Sequence, residues 1–252
     1  MGQVVIPYKP RPLQAQVHND LKRFNVIVCH RRWGKTVFAI NELIRLALTC
    51  KLDRPRVAYI CPLFKQAKNV AWDMVKHYSR PIPGVKFNES ELRADYPNGG
   101  RLQLYGSDNA DALRGIYLDG VVCDEFSQMS PRAWTEVLRP AISDREGMAI
   151  FIGTPQGHNS FYDLYDRAKS LDGWSRELYR ASETNILPEA ELKAMAAEMS
   201  QDEYDQELEC SWTAAIRGAF WAKELSAIDH QITNVPYDDA LPVITCCDLG
   251  IA

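Results

Sequence analysis

Lys35 and Thr36 close the run Val28-Cys29-His30-Arg31-Arg32-Trp33-Gly34-Lys35-Thr36, whose order of residue types is that of a loop built to hold phosphate. An apolar stretch, Asn25–Cys29, precedes the run, and a helical pattern, Thr36–Leu48, follows it. Between such a strand and helix, backbone N–H groups can cradle phosphate oxygens, the Lys35 ammonium can reach the β- and γ-phosphates, and the Thr36 hydroxyl can ligate Mg²⁺. The helix dipole adds positive potential at the same point. Cys29 stands where such loops usually carry their first glycine. Arg31 and Arg32 lie inside the loop, where a guanidinium can donate a forked pair of hydrogen bonds to phosphate; the alternative is two solvated charges. Trp33 reads better as packing against the following helix than as touching nucleotide, and His30 has no partner in sequence that would make it a base.

Two further segments could complete the chemistry. Leu118-Asp119-Gly120-Val121-Val122-Cys123-Asp124-Glu125 is an apolar strand ending in adjacent acids. In a sheet of parallel strands the loops at the C-terminal ends face the ligand. Asp124 would there hold Mg²⁺ together with Thr36, and Glu125 would orient and deprotonate an attacking water. A solvated acidic turn is the plainer alternative for an isolated Asp-Glu pair. Ala149-Ile150-Phe151-Ile152-Gly153-Thr154-Pro155 is a second apolar strand, running into a turn whose hydroxyl could sense a γ-phosphate; Gly and Pro there are also ordinary punctuation.

These motifs need elements to position them. Apolar, β-branched runs fall at Asn25–Cys29, Arg56–Cys61, Arg101–Tyr105, Gly120–Asp124, Ala149–Ile152 and Ser175–Tyr179. Helical spacing of apolar residues occupies Gln14–Phe24, Thr36–Leu48, Phe64–Ser79, Pro131–Arg139 and Ser160–Ser170. Alternation of this kind predicts an α/β protein with a mainly parallel sheet between helices. Because the strand Arg56–Cys61 intervenes in sequence between the loop strand and the acidic strand, the additional-strand, RecA-like arrangement is expected. After Tyr179, Leu187-Pro188-Glu189 opens an acidic helix through about Met199, and Ser200–Cys210 supplies another after a break at Ser200-Gln201-Asp202. Residues 222–241 are polar and read as a linker, and Val243-Ile244-Thr245-Cys246-Cys247-Asp248-Leu249-Gly250 begins a new strand ending in an acid.

In this order and combination the segments resemble the ATPase half of the large terminase subunit that packages DNA in tailed bacteriophages. The resemblance runs from about Pro10 to Gly250. It is carried by His30–Thr36 as an Arg-rich phosphate loop, Val121–Glu125 as the acidic strand and Gly153-Thr154-Pro155 as the coupling motif. It implies a RecA-like P-loop NTPase core (residues 1–180), a small helical lid subdomain (181–222), a linker (223–241) and the first strand of a ribonuclease H-like nuclease (242–252). Asp248 would be one metal ligand of that nuclease, whose remaining carboxylates are absent here, so no cleavage is expected of this chain. The resemblance favours Arg31 as the phosphate-facing member of its pair. Arg11-Pro12-Leu13-Gln14 looks like the family's adenine-contacting segment, with Gln16 competing with Gln14 for that role. Asp111-Ala112-Leu113-Arg114-Gly115 looks like the segment that lends an arginine to a neighbouring subunit's site; the plain alternative for Arg114 is an ordinary surface arginine. The implied cofactors are ATP and Mg²⁺. The implied partners are double-stranded DNA, the portal protein of the procapsid, the small terminase subunit and further copies of the chain, forming a ring when assembled and a monomer in isolation. The implied place is the host cytoplasm, with transient docking on the procapsid. The helical pair could instead be a solvated hairpin with no part in the cycle.

Composition sets limits on other classes. With 252 residues, 46% hydrophobic and 25% charged, the chain fits a globular protein of one or two domains. No stretch approaches the roughly 20 apolar residues of a membrane helix, and the N-terminus lacks a signal-peptide layout, so an intracellular protein without membrane association is expected. The seven cysteines show no Cys-x-x-Cys pair and read as reduced small hydrophobes. A formal net charge of −4 gives no global basic field for tight nucleic-acid binding, though a motor that grips and releases needs only a few local cations. Two rivals remain: a helicase-like DNA translocase, for which a second RecA-like domain has no room, and a nucleotide-binding docking module with vestigial hydrolysis. The intact Lys35, Thr36, Asp124 and Glu125 argue against the latter.

Overall fold

The computed structural model describes residues 4–108 and 113–213; Asp111, Ala112, the linker, Cys246, Cys247 and the strand ending at Asp248 lie outside the described residues. One sheet of eight strands organises the described chain, in the order β3-β4-β5-β2-β6-β7-β1-β8. The strands are β1 (Phe24–Cys29), β2 (Arg56–Cys61), β3 (Lys86–Asn88), β4 (Arg93–Asp95), β5 (Arg101–Gly106), β6 (Gly120–Asp124), β7 (Met148–Gly153) and β8 (Trp174–Tyr179). From β5 to β8 every pairing is parallel. β3 and β4 add an antiparallel edge that the sequence reading did not anticipate. Three-residue strands with half-exposed faces carry too little alternation to be recognised by periodicity.

The arrangement is the RecA-like one, but a different strand makes it so. β7 lies between β1 and β6 in space, pairing Val26 with Phe151 on one side and Cys123 with Phe151 on the other. β2, which separates them in sequence, pairs on the far side of β6. β7 suits the central place because Ala149 to Gly153 are all buried, as a strand covered on both faces requires.

Alternate residues of β1 feed opposite layers. Ile27 and Cys29 pack with Phe38, Leu43 and Ala47 of α2 (Lys35–Thr49), on the face also covered by Trp72 and Val75. Val26 and Val28 join Cys123, Phe151, Leu138 and Phe161 on the other.

Several helices depart from the expected spans for local reasons. α1 runs Pro12–Asp20 with Pro12 in its first turn, so the pattern over Gln14–Phe24 begins late and ends late. Asn25 explains the stop: its side chain accepts from Lys22 N and donates to Lys22 O, both at 2.7 Å, which turns the chain into β1. The 64–79 pattern divides into α3 (Phe64–Gln66), a π-helical turn Ala67–Ala71 and α4 (Trp72–Ser79). The 131–139 pattern is π-helical over Ala133–Leu138 and continues as the short α5 (Arg139–Ala141). Pro140 has no N–H to give the Glu136 carbonyl, so an α-helical bond is absent where the wider turn forms.

α6 (Ser160–Ala168) is capped by Asn159 and leads into β8. The remaining α-helices among the described residues are α7 (Ala181–Thr184), α8 (Glu189–Glu198) and α9 (Gln201–Glu207). The break expected at Ser200 is the start of α9: Ser200 Oγ accepts from Glu203 N at 3.3 Å while the Glu203 carboxylate accepts from Ser200 N at 3.2 Å. α8 buries none of its residues. The described cysteines 29, 50, 61, 123 and 210 are free thiols, and all but Cys50 are buried, as small hydrophobes would be.

Candidate functional site

The C-terminal ends of β1, β7 and β6, adjacent in the sheet, bring the three motifs together. Gly34 caps the start of α2 in a left-handed conformation (φ 94°), which turns the loop so that Lys35 and Thr36 begin the helix. The Lys35 ammonium donates to the Thr154 hydroxyl at 2.8 Å and lies 3.6 Å from Glu125 Oε1. Thr36 Oγ1 donates to Asp124 Oδ2 at 3.2 Å. Because β7 is the middle strand, Thr154 sits between the phosphate loop and the acids.

Asp124 is the most constrained group in the site. Its Oδ2 also accepts from the Tyr59 hydroxyl, in a short contact, and its Oδ1 accepts from Glu125 N at 3.0 Å. Burial, then the nearby Glu125 charge, push its carboxyl up to about 6, against the opposing pull of the Tyr59 hydrogen bond and Lys35. Buried acid beside a hydroxyl is a hard, all-oxygen donor set, and a divalent cation there would relieve the cost of ionising Asp124; the residues fit Mg²⁺ in chemistry. Glu125 has a left-handed backbone (φ 52°), a conformation that costs a residue with a Cβ about 1–2 kcal/mol. A Cβ added to Gly153 would sit 3.3 Å from Phe126 N and 3.4 Å from Glu125 Cα, so the coupling motif packs directly on the backbone that sets Glu125.

The structure places the loop residues unequally. Arg31 and Arg32 are exposed, Arg32 with a left-handed backbone (φ 74°). Trp33 is fully buried, stacked on Tyr179 at 5.4 Å between centroids and edge-on to Phe38 of α2, the packing its sequence context suggested. His30 is also buried: its Nδ1–H donates to Arg31 O at 2.7 Å, and its Nε2 accepts from the Thr184 hydroxyl at 2.8 Å. A carbonyl can only accept, which fixes that tautomer. Burial lowers the His30 pKa and keeps the ring neutral. With both ring nitrogens engaged by protein, His30 offers a nucleotide only its backbone. Arg31 N donates to Glu207 O at 2.9 Å, so the α8–α9 segment returns to touch the loop.

Gln14 and Gln16 separate cleanly. Gln16 is exposed; Gln14 is buried and its amide donates to Trp33 O and Gly34 O, both at 3.3 Å. Reading an adenine with Gln14 requires those bonds to exchange. Arg114 lies apart from this cluster: its side chain is 57% exposed and its ion pair is with Glu136 Oε2 at 3.8 Å. Tyr59 and Arg11 are site residues that sequence reasoning missed. Nothing in the alternation of β2 marks Tyr59 as a carboxylate partner, and Arg11 was legible only as a neighbour of Gln14. Among the described residues no three His, Cys, Asp or Glu side chains form another metal-binding group, and no helix is long and apolar enough to cross a membrane.

The sheet order, the glycine-capped loop and the Lys-Thr-Asp-Glu cluster define a RecA-like phosphate-loop nucleotide-binding domain. Comparison with known proteins narrows this. Residues 27–228 match the family described as terminase large subunit, T4likevirus-type, N-terminal, and the chain belongs to that family. It is 36% identical over 197 residues to the large terminase subunit of Thermus virus P23-45, an alignment covering 68% of this chain and 38% of that relative. The chain thus spans about two fifths of the curated relative's length. Among solved structures, the large terminase ATPase domain of Thermus phage P74-26 superposes with a TM-score of 0.71 at 21% identity, covering 82% of this chain and 95% of that one. The large terminase of another thermophilic bacteriophage, solved in complex with ADP, superposes with a TM-score of 0.67 at 15% identity, covering 80% and 53%. At such identities these likenesses establish the shared fold.

Proposed function

We propose that this chain is the ATP-hydrolysing motor domain of a viral large terminase, converting loss of the γ-phosphate into motion that drives double-stranded DNA into a procapsid. The observation that carries this reading is the convergence of Lys35, Thr36, Asp124, Glu125 and Thr154 at three adjacent strand ends. The ADP complex of the thermophilic phage terminase supports nucleotide as the ligand.

In this reading Lys35 and Arg31 bind the phosphates, and Glu125 orients the attacking water and takes its proton. Thr36 and Asp124, hydrogen-bonded to each other at 3.2 Å, would hold Mg²⁺, which when bound would offset phosphate charge. Thr154, hydrogen-bonded to Lys35 at 2.8 Å, exchanges that partner for a γ-phosphate oxygen, and Gly153 passes the change to the backbone at Glu125 and Phe126. His30 and Arg31, bonded to Thr184 and Glu207, offer a path from the loop to a lid of residues 181–222 on a core of 1–180, with 223–241 as linker and 242–252 opening the next domain.

Arg114 acts on a neighbouring copy in a ring, where transition-state charge develops. The portal protein and small terminase subunit complete the machine in the host cytoplasm. The test is phosphate release per subunit against protein concentration, with and without duplex DNA. A specific rate that climbs as subunits assemble supports the motor; absence of Mg²⁺-dependent release from ATP at every concentration overturns it in favour of a docking module.

A further inference from the structure

We propose that Tyr59 sets the metal specificity of the site: by occupying Asp124 Oδ2 it limits that carboxylate to binding through one oxygen, and so favours Mg²⁺ over Ca²⁺. The inference rests on the nucleotide-binding reading above.

The sheet itself brings the two residues together. β2 pairs in parallel with β6, and Tyr59 stands opposite Val122. Asp124 lies two residues beyond Val122 and therefore on the same face, where the Tyr59 hydroxyl reaches its Oδ2. Tyr59 is 3% exposed and Asp124 4%, so bulk water has little access to their bond. β6 is thus flanked by two positioning hydroxyls: β7 leads into Thr154, which meets Lys35, and β2 carries Tyr59, which meets Asp124.

A carboxylate offers about four acceptor sites, two on each oxygen. On Asp124 Oδ2 one is taken by the Tyr59 hydroxyl and the other by the Thr36 hydroxyl at 3.2 Å; on Oδ1 one is taken by Glu125 N at 3.0 Å. The remaining site is on Oδ1. The two donors at Oδ2 differ in kind. Thr36 is itself a metal-ligating hydroxyl and can turn its oxygen toward a cation. Tyr59 has its ring packed in the buried layer with Val57 and Val122, so its hydroxyl stays and keeps Oδ2 closed. Ca²⁺ takes six to eight oxygens and can use both oxygens of one carboxylate, whereas Mg²⁺ demands octahedral geometry and retains several waters. A carboxylate with a single open site on one oxygen suits the second ion and handicaps the first.

The experiment is titration calorimetry of ADP, which avoids turnover, into the 252-residue chain with saturating Mg²⁺ or Ca²⁺, for wild type, Tyr59→Phe and Val57→Ala. Val57 is 1% exposed on the same face of β2 and controls for loosened packing. Wild type should bind ADP more tightly with Mg²⁺ than with Ca²⁺. Tyr59→Phe should lower that ratio by about tenfold, the worth of one hydrogen bond to a charged group. Val57→Ala should lower the ligand-free melting temperature and leave the ratio unchanged. 3-Fluorotyrosine incorporated at Tyr59 keeps the ring and makes the hydroxyl a stronger donor, so it should raise the ratio; it carries the test alone if Tyr59→Phe does not fold. An unchanged ratio in Tyr59→Phe, equal weakening with both ions, the same change in Val57→Ala, or a fall with 3-fluorotyrosine would each overturn the proposal. Failure of wild type to bind ADP with either ion would instead overturn the nucleotide-binding reading.

Discussion

The strand-end cluster and the Arg114 turn both set cations against carboxylates, and they are built in opposite ways. At the strand ends Lys35 is 11% exposed, held by Thr154 at 2.8 Å, and Asp124 has partners on both oxygens. At the turn, Arg114 is 57% exposed and 3.8 Å from Glu136, whose carboxylate already accepts from Arg132 at 2.7 Å. A buried, fully bonded cluster needs little reorganisation when charge develops in a reaction. An exposed pair contributes only about 0–1 kcal/mol, so a guanidinium can leave it at small cost. In the proposed motor the strand-end cluster would be the half of the site supplied by one chain, and Arg114 the half offered to a neighbouring copy.

The largest expected effect tests the movable half. Arg114→Ala should lower turnover in the assembled ring by about 10³–10⁵-fold. Mixed with Glu125→Ala subunits it should regain part of the activity, because some interfaces then pair an intact Glu125 with an intact Arg114. Co-assembly without any recovery, or full activity of Arg114→Ala alone, would place the arginine outside the chemistry. Next in size, Glu125→Ala should cost about 10²–10⁴-fold in turnover while ATP still binds, since the loop and Lys35 remain. Equal losses in nucleotide affinity and in turnover would contradict the base role.

Tyr59→Phe sharpens the fixed half. Its hydroxyl favours the ionised form of Asp124, so its removal should raise that carboxyl above its value of about 6. The acidic limb of Mg²⁺-dependent ATPase activity should move to higher pH by roughly one unit, the worth of one hydrogen bond to a charged group. The same shift has a sign for stability. A carboxyl whose folded value is raised makes the ligand-free chain more stable as pH falls below about 6 toward the unfolded value near 4, and Mg²⁺ should abolish that trend by binding the ionised form. Urea midpoints across that range, with and without Mg²⁺, are the measurement.

The smallest effect is expected at the loop-to-lid contact. Thr184→Val removes the donor to His30 Nε2 and should lower stability by about 1 kcal/mol, read as a shift in urea midpoint. The depressed His30 pKa means that the neutral ring's contribution is present above about pH 6.5 and is lost as pH falls through the lower folded value.

Much of the core and the reactive cluster was legible because those features are local. Asn25–Cys29 and Gly120–Asp124 are short apolar runs ending in loop chemistry, and Gly34-Lys35-Thr36 and Asp124-Glu125 are contiguous in the chain. The first helix of the hairpin was marked by Pro188 for the same reason, whereas Ser200, read as a break, is the cap that starts α9. The π-helical turns were not, since they keep an apolar face while changing the hydrogen-bond ladder.

The sequence by itself determined that strands alternate with helices and which family the combination resembles, and it named the residues proposed to hold phosphate and metal. Tertiary structure decided that β7, not β2, separates β1 from β6, and so put Thr154 against Lys35. It brought Tyr59 to Asp124 across 65 residues and His30 to Thr184 across 154, and it turned Gln14 onto the loop's carbonyls while leaving Gln16 in solvent. Strand order and such distant pairings follow from which buried faces fit together and which polar atoms must be bonded once water is excluded. Those requirements exist only in the assembled core and leave no spacing in the chain to read.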